Sequence, residues 1–155
     1  MRSFEEEFDH LYRLAYRVSF RLLGDRAAAE DAAQEALARA YVRWRRVEGY
    51  AAAWVSRVAT NLALDLHRQT RRAALMPAPE QAGVDAYAVQ RLDLRRVISE
   101  LPRRQRQVVV LRYLADLSEE DAANAMGCSV GTVKQHAHRG LERLRRLTDP
   151  SAEPV

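Results

Sequence analysis

Residues 117–146 constrain the fold more than any other part of the sequence, because they have the pattern of two helices joined by a tight turn. Ser118 suits the N-cap of the first helix, Gly127 suits the left-handed residue that ends it, and Ser129 suits the next N-cap. We expect small and apolar side chains to pack between the two helices, namely Ala122, Ala123, Met126, Val130, Val133 and Leu141. The segment therefore predicts a helix-turn-helix.

The second helix of this pair has a polar and basic outer face. Its members are Thr132, Lys134, Gln135, His136, His138 and Arg139. These side chains can hydrogen-bond phosphates and base edges, so the face favours DNA binding. An ordinary helical hairpin is the alternative, and the short turn and the polar face argue against it. His136 and His138 are two residues apart and cannot face one metal ion from a regular helix, so no metal site is expected.

Composition limits the remaining classes of protein. The formal net charge of +4 is a mild indication of a polyanionic partner. Cys128 is the single cysteine, which excludes an intramolecular disulfide and a cysteine-based zinc site. No stretch approaches the roughly 20 apolar residues of a membrane span, and the acidic N-terminus lacks the apolar core of a signal peptide. We therefore expect a soluble cytoplasmic protein with no cofactor and no membrane insertion.

The first half of the chain has helical periodicity throughout. Ser3 and Glu6 have the spacing of a capping box, which predicts a helix to about Leu23. Gly24 and Asp25 suit a break and a new N-cap, followed by a helix to about Trp44 and a third over about 52–71. The expected inward stripe of the second helix is Ala29, Ala33, Ala36, Leu37, Ala40, Tyr41 and Trp44.

The pattern changes after the third helix. Residues 73–87 contain two prolines and a glycine without a sustained period, which is typical of a linker. Helices are expected over about 88–100 and from Pro102 onward, before the helix-turn-helix. We therefore predict an all-α fold of two small helical domains, 1–72 and 88–148, with a flexible linker over 73–87 and a disordered tail over 149–155. About 15 linker residues at roughly 3.3 Å each would reach on the order of 50 Å.

Two further polar surfaces lie on the first domain. The second helix has Asp31, Gln34, Glu35 and Arg39 at neighbouring spacings. The third helix has a row at intervals of three or four residues, comprising Arg57, Asn61, Asp65, Arg68 and Arg72. For the second helix, an ordinary solvated face is equally consistent with the sequence. On the third helix, Arg57 and Arg68 suit phosphate and Asn61 suits a base edge, whereas Asp65 opposes that use and is expected to orient those side chains. Tyr50 and Trp54 suit base stacking, although the position of Trp54 in an apolar stripe favours a core role.

The chain as a whole resembles a bacterial RNA polymerase sigma factor of the extracytoplasmic-function group, which keeps sigma regions 2 and 4. Residues 24–37, GDRAAAEDAAQEAL, resemble the region 2 segment that contacts core polymerase. Residues 53–65, AWVSRVATNLALD, are similar to the helix that reads the promoter −10 element. Residues 101–113, LPRRQRQVVVLRY, resemble the start of region 4, and VGTVK at 130–134 resembles the start of its −35 recognition helix.

The resemblance implies a sigma region 2-like three-helix bundle, a sigma region 4-like helix-turn-helix, and a role for each surface. Core RNA polymerase would contact Asp31, Gln34, Glu35 and Arg39. The −10 element would contact Glu48, Gly49, Tyr50, Arg57, Asn61 and Arg68, with the loop at 47–50 capturing a flipped base. The −35 element would contact Thr132, Lys134, Gln135, His136, His138 and Arg139. Of these, Lys134, Gln135 and His138 would read bases, while Thr132 and Arg139 are better placed for phosphates. The implied partners are core polymerase and promoter DNA, with an anti-sigma factor as a further candidate. The resemblance also implies a nucleoid-associated protein that is monomeric when free.

This sequence also departs from the family pattern. Ala32, Ala33 and Ala36 replace larger apolar residues, and Gln135 and His136 replace a usual Ser-Arg pair. We therefore do not transfer a promoter sequence from the family.

Other functions fit the sequence less well. A response-regulator-type transcription factor shares the Thr-Val-Lys-Gln-His pattern, but the first 72 residues lack the alternating strands of a receiver. An enzyme would recruit Glu30, Asp31, Asp65 and His67, whose spacing does not require convergence. A pure interaction module would not need the polar recognition face. We therefore predict a sigma factor without enzymatic activity.

Overall fold

The computed structural model describes residues 1–74 and 94–149, with no side chains described for 67–74. These ranges contain helices and turns and no strand, which confirms the all-α fold. The helices are α1 (Phe4–Leu23), α2 (Arg26–Val42), α3 (Trp44–Val47), α4 (Ala51–Ala74), α5 (94–100), α6 (Arg103–Val109), α7 (Glu119–Met126) and α8 (Val130–Thr148). No helix in them is both long and apolar enough to cross a lipid bilayer.

The helix boundaries of the first half follow the local capping signals. The Ser3 hydroxyl accepts from the Glu6 N–H at 3.3 Å, and the Glu6 carboxylate accepts from the Ser3 N–H at 2.8 Å. This capping box begins α1, as predicted. Gly24 ends the helix with a φ of 67°, which suits a residue without a Cβ. Asp25 then caps α2 by accepting from the Ala27 N–H.

Helices α1, α2 and α4 form a three-helix bundle. The alanine face of α2 brings its neighbours close, because Ala29, Ala33, Ala36 and Ala40 are fully buried. Larger side chains from α1 and α4 fill the space around it, including Leu11, Leu14, Val18, Leu22, Val55 and Leu64. This bundle buries one face of each helix and leaves the opposite faces of α2 and α4 to carry polar groups.

The end of α2 differs from the prediction. The helix ends at Val42, and Trp44 begins the separate helix α3. Tyr41 is 61% exposed, so its expected core position was wrong. Tyr41 lies in the last turn of α2, where its ring meets Phe4 of α1 edge-on at 5.1 Å between centroids. This contact covers only part of the ring, which leaves most of the side chain at the surface.

The second half of the chain begins with α5 and α6 and contains a π-helical segment that the sequence did not predict. Pro102 is the N-cap of α6, which continues into the π-helical segment Val110–Leu114. The N–H of Ala115 donates to the Val110 carbonyl at 2.9 Å, and Asp116 then takes a left-handed φ of 56°. This conformation turns the chain sharply toward the helix-turn-helix.

Helices α7 and α8 form the predicted helix-turn-helix. Ser118 accepts from the Asp121 N–H at 3.0 Å, Gly127 has a φ of 65°, and Ser129 accepts from the Thr132 N–H at 3.1 Å. The cluster beneath the two helices contains Val108, Leu111, Ala122, Ala123, Met126, Val133 and Ala137.

Leu141 is 39% exposed, so its predicted place in this core was wrong. Helix α7 has eight residues and α8 has 19, which correspond to about 12 Å and about 28 Å of axial length. The shorter helix therefore covers only part of the longer one.

The two halves of the chain are packed together in the structure. Ile98, Val110 and Ala115 belong to the same hydrophobic cluster as the core of the three-helix bundle. Of the predicted linker, residues 73 and 74 are the end of α4, and residues 75–87 lie outside the described ranges. The predicted helix over 88–93 and the tail from residue 150 also lie outside them.

Candidate nucleic-acid interface

The outward face of α8 is set by the residues that α8 buries. Val133 is fully buried and Ala137 is 9% exposed, so the side chains on either side of them point away from the core. Lys134, Gln135, His138 and Arg139 are exposed, as the sequence predicted for a surface that meets DNA. The geometry brings four of the six predicted residues together on an accessible surface.

Thr132 and His136 differ from these four. Thr132 is half-buried, and its hydroxyl lies 2.9 Å from the Ser129 hydroxyl that caps the helix. His136 is also half-buried, and its Nδ1 is buried without a hydrogen-bond partner among the described residues. Thr132 is therefore engaged at the start of α8, and His136 offers less accessible surface than sequence spacing suggested.

An acidic residue of α7 lies beside the basic face of α8. The Glu119 carboxylate is 3.7 Å from Lys134 Nζ and 3.8 Å from Arg112 Nη2. Arg112 also donates to the Leu117 carbonyl. Glu119 thus links the first turn of α7 to Lys134, and sequence reasoning did not single it out. Its position in the first turn also suits the positive end of the helix dipole.

The exposed side of α4 carries the second predicted surface. Arg57 and Asn61 are exposed, one helical turn apart, and Trp54 is half-buried beside them. A 3-10 turn at Glu48–Tyr50 leads into α4 and leaves Tyr50 45% exposed. Gly49 is exposed and Glu48 is half-buried in that turn. The side chain of Arg68 lies outside the described residues.

These α4 residues line one side of a cleft of about 330 Å³. The opposite side is basic and comes from the second half of the chain, including Arg103, Arg104, Arg106 and Gln107. Arg104 donates to the Met126 carbonyl at 3.0 Å, and Arg106 donates to the Leu101 carbonyl at 3.3 Å. The sequence analysis did not predict this basic side of the cleft, although the Arg-Arg-Gln-Arg run after Pro102 is a cluster of positive charge.

Helix α2 carries the third predicted surface. Asp31, Gln34, Glu35 and Arg39 are all exposed, on the face opposite the buried alanines. Arg39 Nε donates to the Glu35 carboxylate at 2.8 Å, which is the i,i+4 pair expected from the spacing. The four side chains therefore form one continuous polar strip along about two turns of helix.

The residues considered for an enzyme site do not form one in the described ranges. Glu30 is paired with Arg26 at 3.1 Å on α2. Asp31 and Asp65 are exposed on different helices, and the His67 side chain lies outside the described residues. No group of three His, Cys, Asp or Glu side chains within the described ranges is arranged to hold a metal ion.

Comparison with known proteins identifies both halves of the chain. Residues 8–73 match the family described as sigma-70 region 2, and residues 91–144 match sigma-70, region 4. The chain is 35% identical to the ECF RNA polymerase sigma factor SigW of Bacillus subtilis, over 89% of this chain and 82% of that protein. It is 37% identical to the RNA polymerase sigma-E factor of Streptomyces coelicolor, over 92% of this chain and 84% of that protein.

Two solved structures share the fold. The sigma factor RpoE of Bartonella quintana, solved with the anti-sigma factor NepR, has a TM-score of 0.54 at 23% identity, covering 96% of this chain and 98% of that one. CnrH, solved with the cytosolic domain of CnrY, has a TM-score of 0.59 at 20% identity, covering 96% and 89%. At these identities the structures support the fold alone. The two matched regions and the sequence relatives show that the chain belongs to the extracytoplasmic-function (ECF) RNA polymerase sigma factors of the sigma-70 family.

Proposed function

We propose that this sigma factor is a dissociable subunit that binds core RNA polymerase through the exposed strip of α2. The strip consists of Asp31, Gln34, Glu35 and Arg39. This proposal is supported by the division of α2 into a buried alanine face and an exposed polar face. The Glu35–Arg39 pair holds two of its side chains along the helix axis, which limits the conformational entropy lost on binding.

The face of α4 and the turn before it suit the −10 element as a separated strand. Tyr50 offers an exposed ring for stacking, Arg57 a guanidinium for phosphate, and Asn61 an amide for a base edge. Extruding a base costs a few kcal/mol, and stacking on an aromatic ring returns about 1–3 kcal/mol. Glu48 and Gly49 shape the turn that presents Tyr50. By its spacing, Arg68 extends the same row of α4.

The outward face of α8 suits the −35 element as duplex DNA. Lys134, Gln135, His138 and Arg139 are exposed on an accessible polar face of the helix, as major-groove reading requires. Thr132 lies at the N-terminal end of α8, where backbone N–H groups attract phosphate. The ring of His136 is half-buried, so it is better suited to holding α8 in position beside the DNA than to contacting a base.

One observation carries the proposal: sigma-70 regions 2 and 4 occur in order in one chain, each with an exposed polar face over a packed core. The response-regulator alternative is not favoured, because residues 8–73 match sigma region 2. We further propose that residues 1–72 and 88–148 act as two domains and that the protein carries out no covalent chemistry. We also propose that it is located in the cytoplasm, at the nucleoid, and that it is a monomer before it binds core polymerase. An anti-sigma factor is a further candidate partner.

Run-off transcription tests the proposal. Core polymerase is incubated with a pool of genomic templates, with and without the purified chain. We expect new transcripts with defined start sites only when the chain is present, and we expect their upstream regions to share two sequence blocks. The absence of new starts, with core polymerase shown to be active on nicked DNA, would overturn the proposal.

A further inference from the structure

The cleft between α4 and α6 has the composition of a small-molecule site. Its volume is about 330 Å³, which lies at the lower end of the range of about 300–1,000 Å³ for such sites. Most of its buried lining is apolar and at most 9% exposed, namely Ala53, Val110, Leu111 and Met126. A largely apolar lining with a few polar groups around it is the usual arrangement of a ligand pocket.

One side of the cleft carries two aromatic side chains. Tyr50, in the 3-10 turn before α4, is 45% exposed, and Trp54 of α4 is half-buried. Aromatic rings stack on nucleobases with little dependence on sequence, because every base has a π-face. The side chains of Asn61 and Gln107 also line the cleft, and an amide can donate to and accept from the edge of a base. This lining suits a planar ligand with hydrogen-bonding edges.

The charge of the cleft is positive and unbalanced. Four arginines line it, and the described lining residues include no Asp or Glu. The four are Arg57, Arg103, Arg104 and Arg106. Within the part of the chain that the structure describes, none of them forms an ion pair. A concave surface lined by one sign of charge concentrates the opposite ion, and the guanidinium group matches the geometry of phosphate oxygens.

Two of these arginines are already held in place. Arg104 donates to the Met126 carbonyl at 3.0 Å, and Arg106 donates to the Leu101 carbonyl at 3.3 Å. Each bond uses one of the five N–H donors of a guanidinium group, so donors remain for a ligand. Arg106 Nε is also buried without a hydrogen-bond partner among the described residues. Because the two side chains are positioned before binding, an anion would order them at a reduced entropy cost.

We propose that this cleft binds a nucleoside diphosphate or a related nucleoside polyphosphate. The base lies against Tyr50 and Trp54, and the phosphates meet the arginines of α6. This class of ligand joins a planar ring to a polyanion, and the two sides of the cleft present the matching groups. The site shares Tyr50 with the proposed −10 surface but takes its phosphate-binding arginines from α6, so it does not depend on promoter recognition.

Isothermal titration calorimetry of the full chain at fixed salt tests the ligand class. The probes are adenosine and guanosine diphosphate, the two nucleosides, and inorganic pyrophosphate. We expect at least one diphosphate to bind about tenfold or more tightly than its nucleoside or pyrophosphate, because each part alone meets only one side of the cleft. Pyrophosphate binding as tightly as both nucleotides would overturn the proposal. So would binding of a single-stranded oligonucleotide without binding of either nucleotide, or no binding at all.

Two matched pairs of variants test the two sides of the cleft, with circular dichroism to confirm folding. Arg103→Gln should weaken diphosphate binding about tenfold, whereas Arg13→Gln removes the same charge from an exposed position outside the cleft and should have little effect. Tyr50→Leu should weaken it about fivefold or more through lost stacking. Its control is Tyr113→Leu, since Tyr113 is 44% exposed and lies outside the cleft. Equal effects within either pair would overturn the proposal.

Tryptophan fluorescence locates the bound nucleotide. The chain has two tryptophans, Trp44 and Trp54, and only Trp54 lines this cleft. In a Trp44→Phe background, the diphosphate should quench Trp54 and reach saturation at the concentrations found by calorimetry. Unchanged Trp54 fluorescence at saturating nucleotide would place the ligand elsewhere and contradict the proposal. Neither measurement uses polymerase or promoter DNA. If nucleotide binding holds while run-off transcription fails, the nucleotide site stands and the proposed promoter function is wrong.

Discussion

Gly140→Ala probes how closely α8 approaches α6. A Cβ at position 140 would lie 2.9 Å from Val109 Cγ2 and 3.6 Å from the Gln105 carbonyl oxygen. Val109 is 3% exposed, so its side chain has little room to move away. Overpacking of this kind costs about 1–3 kcal/mol, whereas the higher helix propensity of alanine returns about 1 kcal/mol. We expect Gly140→Ala to lower the free energy of unfolding by about 1 kcal/mol.

Gly131→Ala is the matched control in the same helix. The nearest atom to its new Cβ would be Ser129 Oγ at 3.8 Å, an ordinary van der Waals contact. This change should raise stability by up to about 0.5–1 kcal/mol, because glycine in a helix is unfavourable relative to alanine. The two variants should therefore differ by about 1–3 kcal/mol, which corresponds to about 2–4 °C in melting temperature for each kcal/mol.

Urea unfolding followed by far-ultraviolet circular dichroism measures both changes. A third variant, Val109→Ala, removes the atom that the new Cβ would meet, so adding Gly140→Ala to it should cost less than in the wild type. Equal stabilities for Gly140→Ala and Gly131→Ala would refute the close crossing of α6 and α8. An unchanged cost in the Val109→Ala background would show that the contact with Val109 is not its cause.

Three further predictions concern the proposed surfaces. The double variant Asp31→Ala, Gln34→Ala should weaken core polymerase binding about tenfold or more in a pull-down titration, while the free chain should still bind duplex DNA. Equal loss of both activities in a folded variant would contradict the assignment of α2 as the polymerase-binding surface. Lys134→Ala should weaken binding of −35 duplex about fivefold or more, because a good base contact is worth about 1–3 kcal/mol, and an unchanged affinity would contradict the proposed base contact. Glu119→Gln should raise non-specific duplex affinity about two- to fivefold more than Glu120→Gln. The reason is that, in the described structure, only Glu119 lies within 4 Å of Lys134. Equal effects of the two variants in fluorescence anisotropy would show that the Glu119 contact is unimportant.

Local signals in the sequence predicted the helix boundaries well. The capping residues Ser3, Asp25, Ser118 and Ser129 act on N–H groups within three residues, so no distant partner is needed to place them. Gly127 is similarly local, because its positive φ depends on the missing Cβ. The polar faces of α2, α4 and α8 followed from helical periodicity, which fixes the residues that share a side.

Features that depend on distant partners were not predictable in this way. The exposure of Leu141 depends on how far α6 and α7 cover α8, and that of Tyr41 depends on where α2 ends relative to α1. The π-helical segment at Val110–Leu114 lies where Arg21 of α1 meets its carbonyls. The half-burial of His136 and the basic wall at Arg103 likewise depend on tertiary packing that periodicity does not encode.

Site-specific photo-cross-linking in the initiation complex tests the central claim most directly, since it reports which surface meets which promoter element. A photoreactive amino acid is placed at Asn61 or at Gln135, and the complex is assembled with core polymerase on a promoter from the run-off assay. We expect the probe at Asn61 to cross-link to the non-template strand of the −10 element and the probe at Gln135 to cross-link to the −35 duplex. Exchanged targets, or no DNA cross-link from either position in a complex that makes the promoter's transcript, would contradict the account.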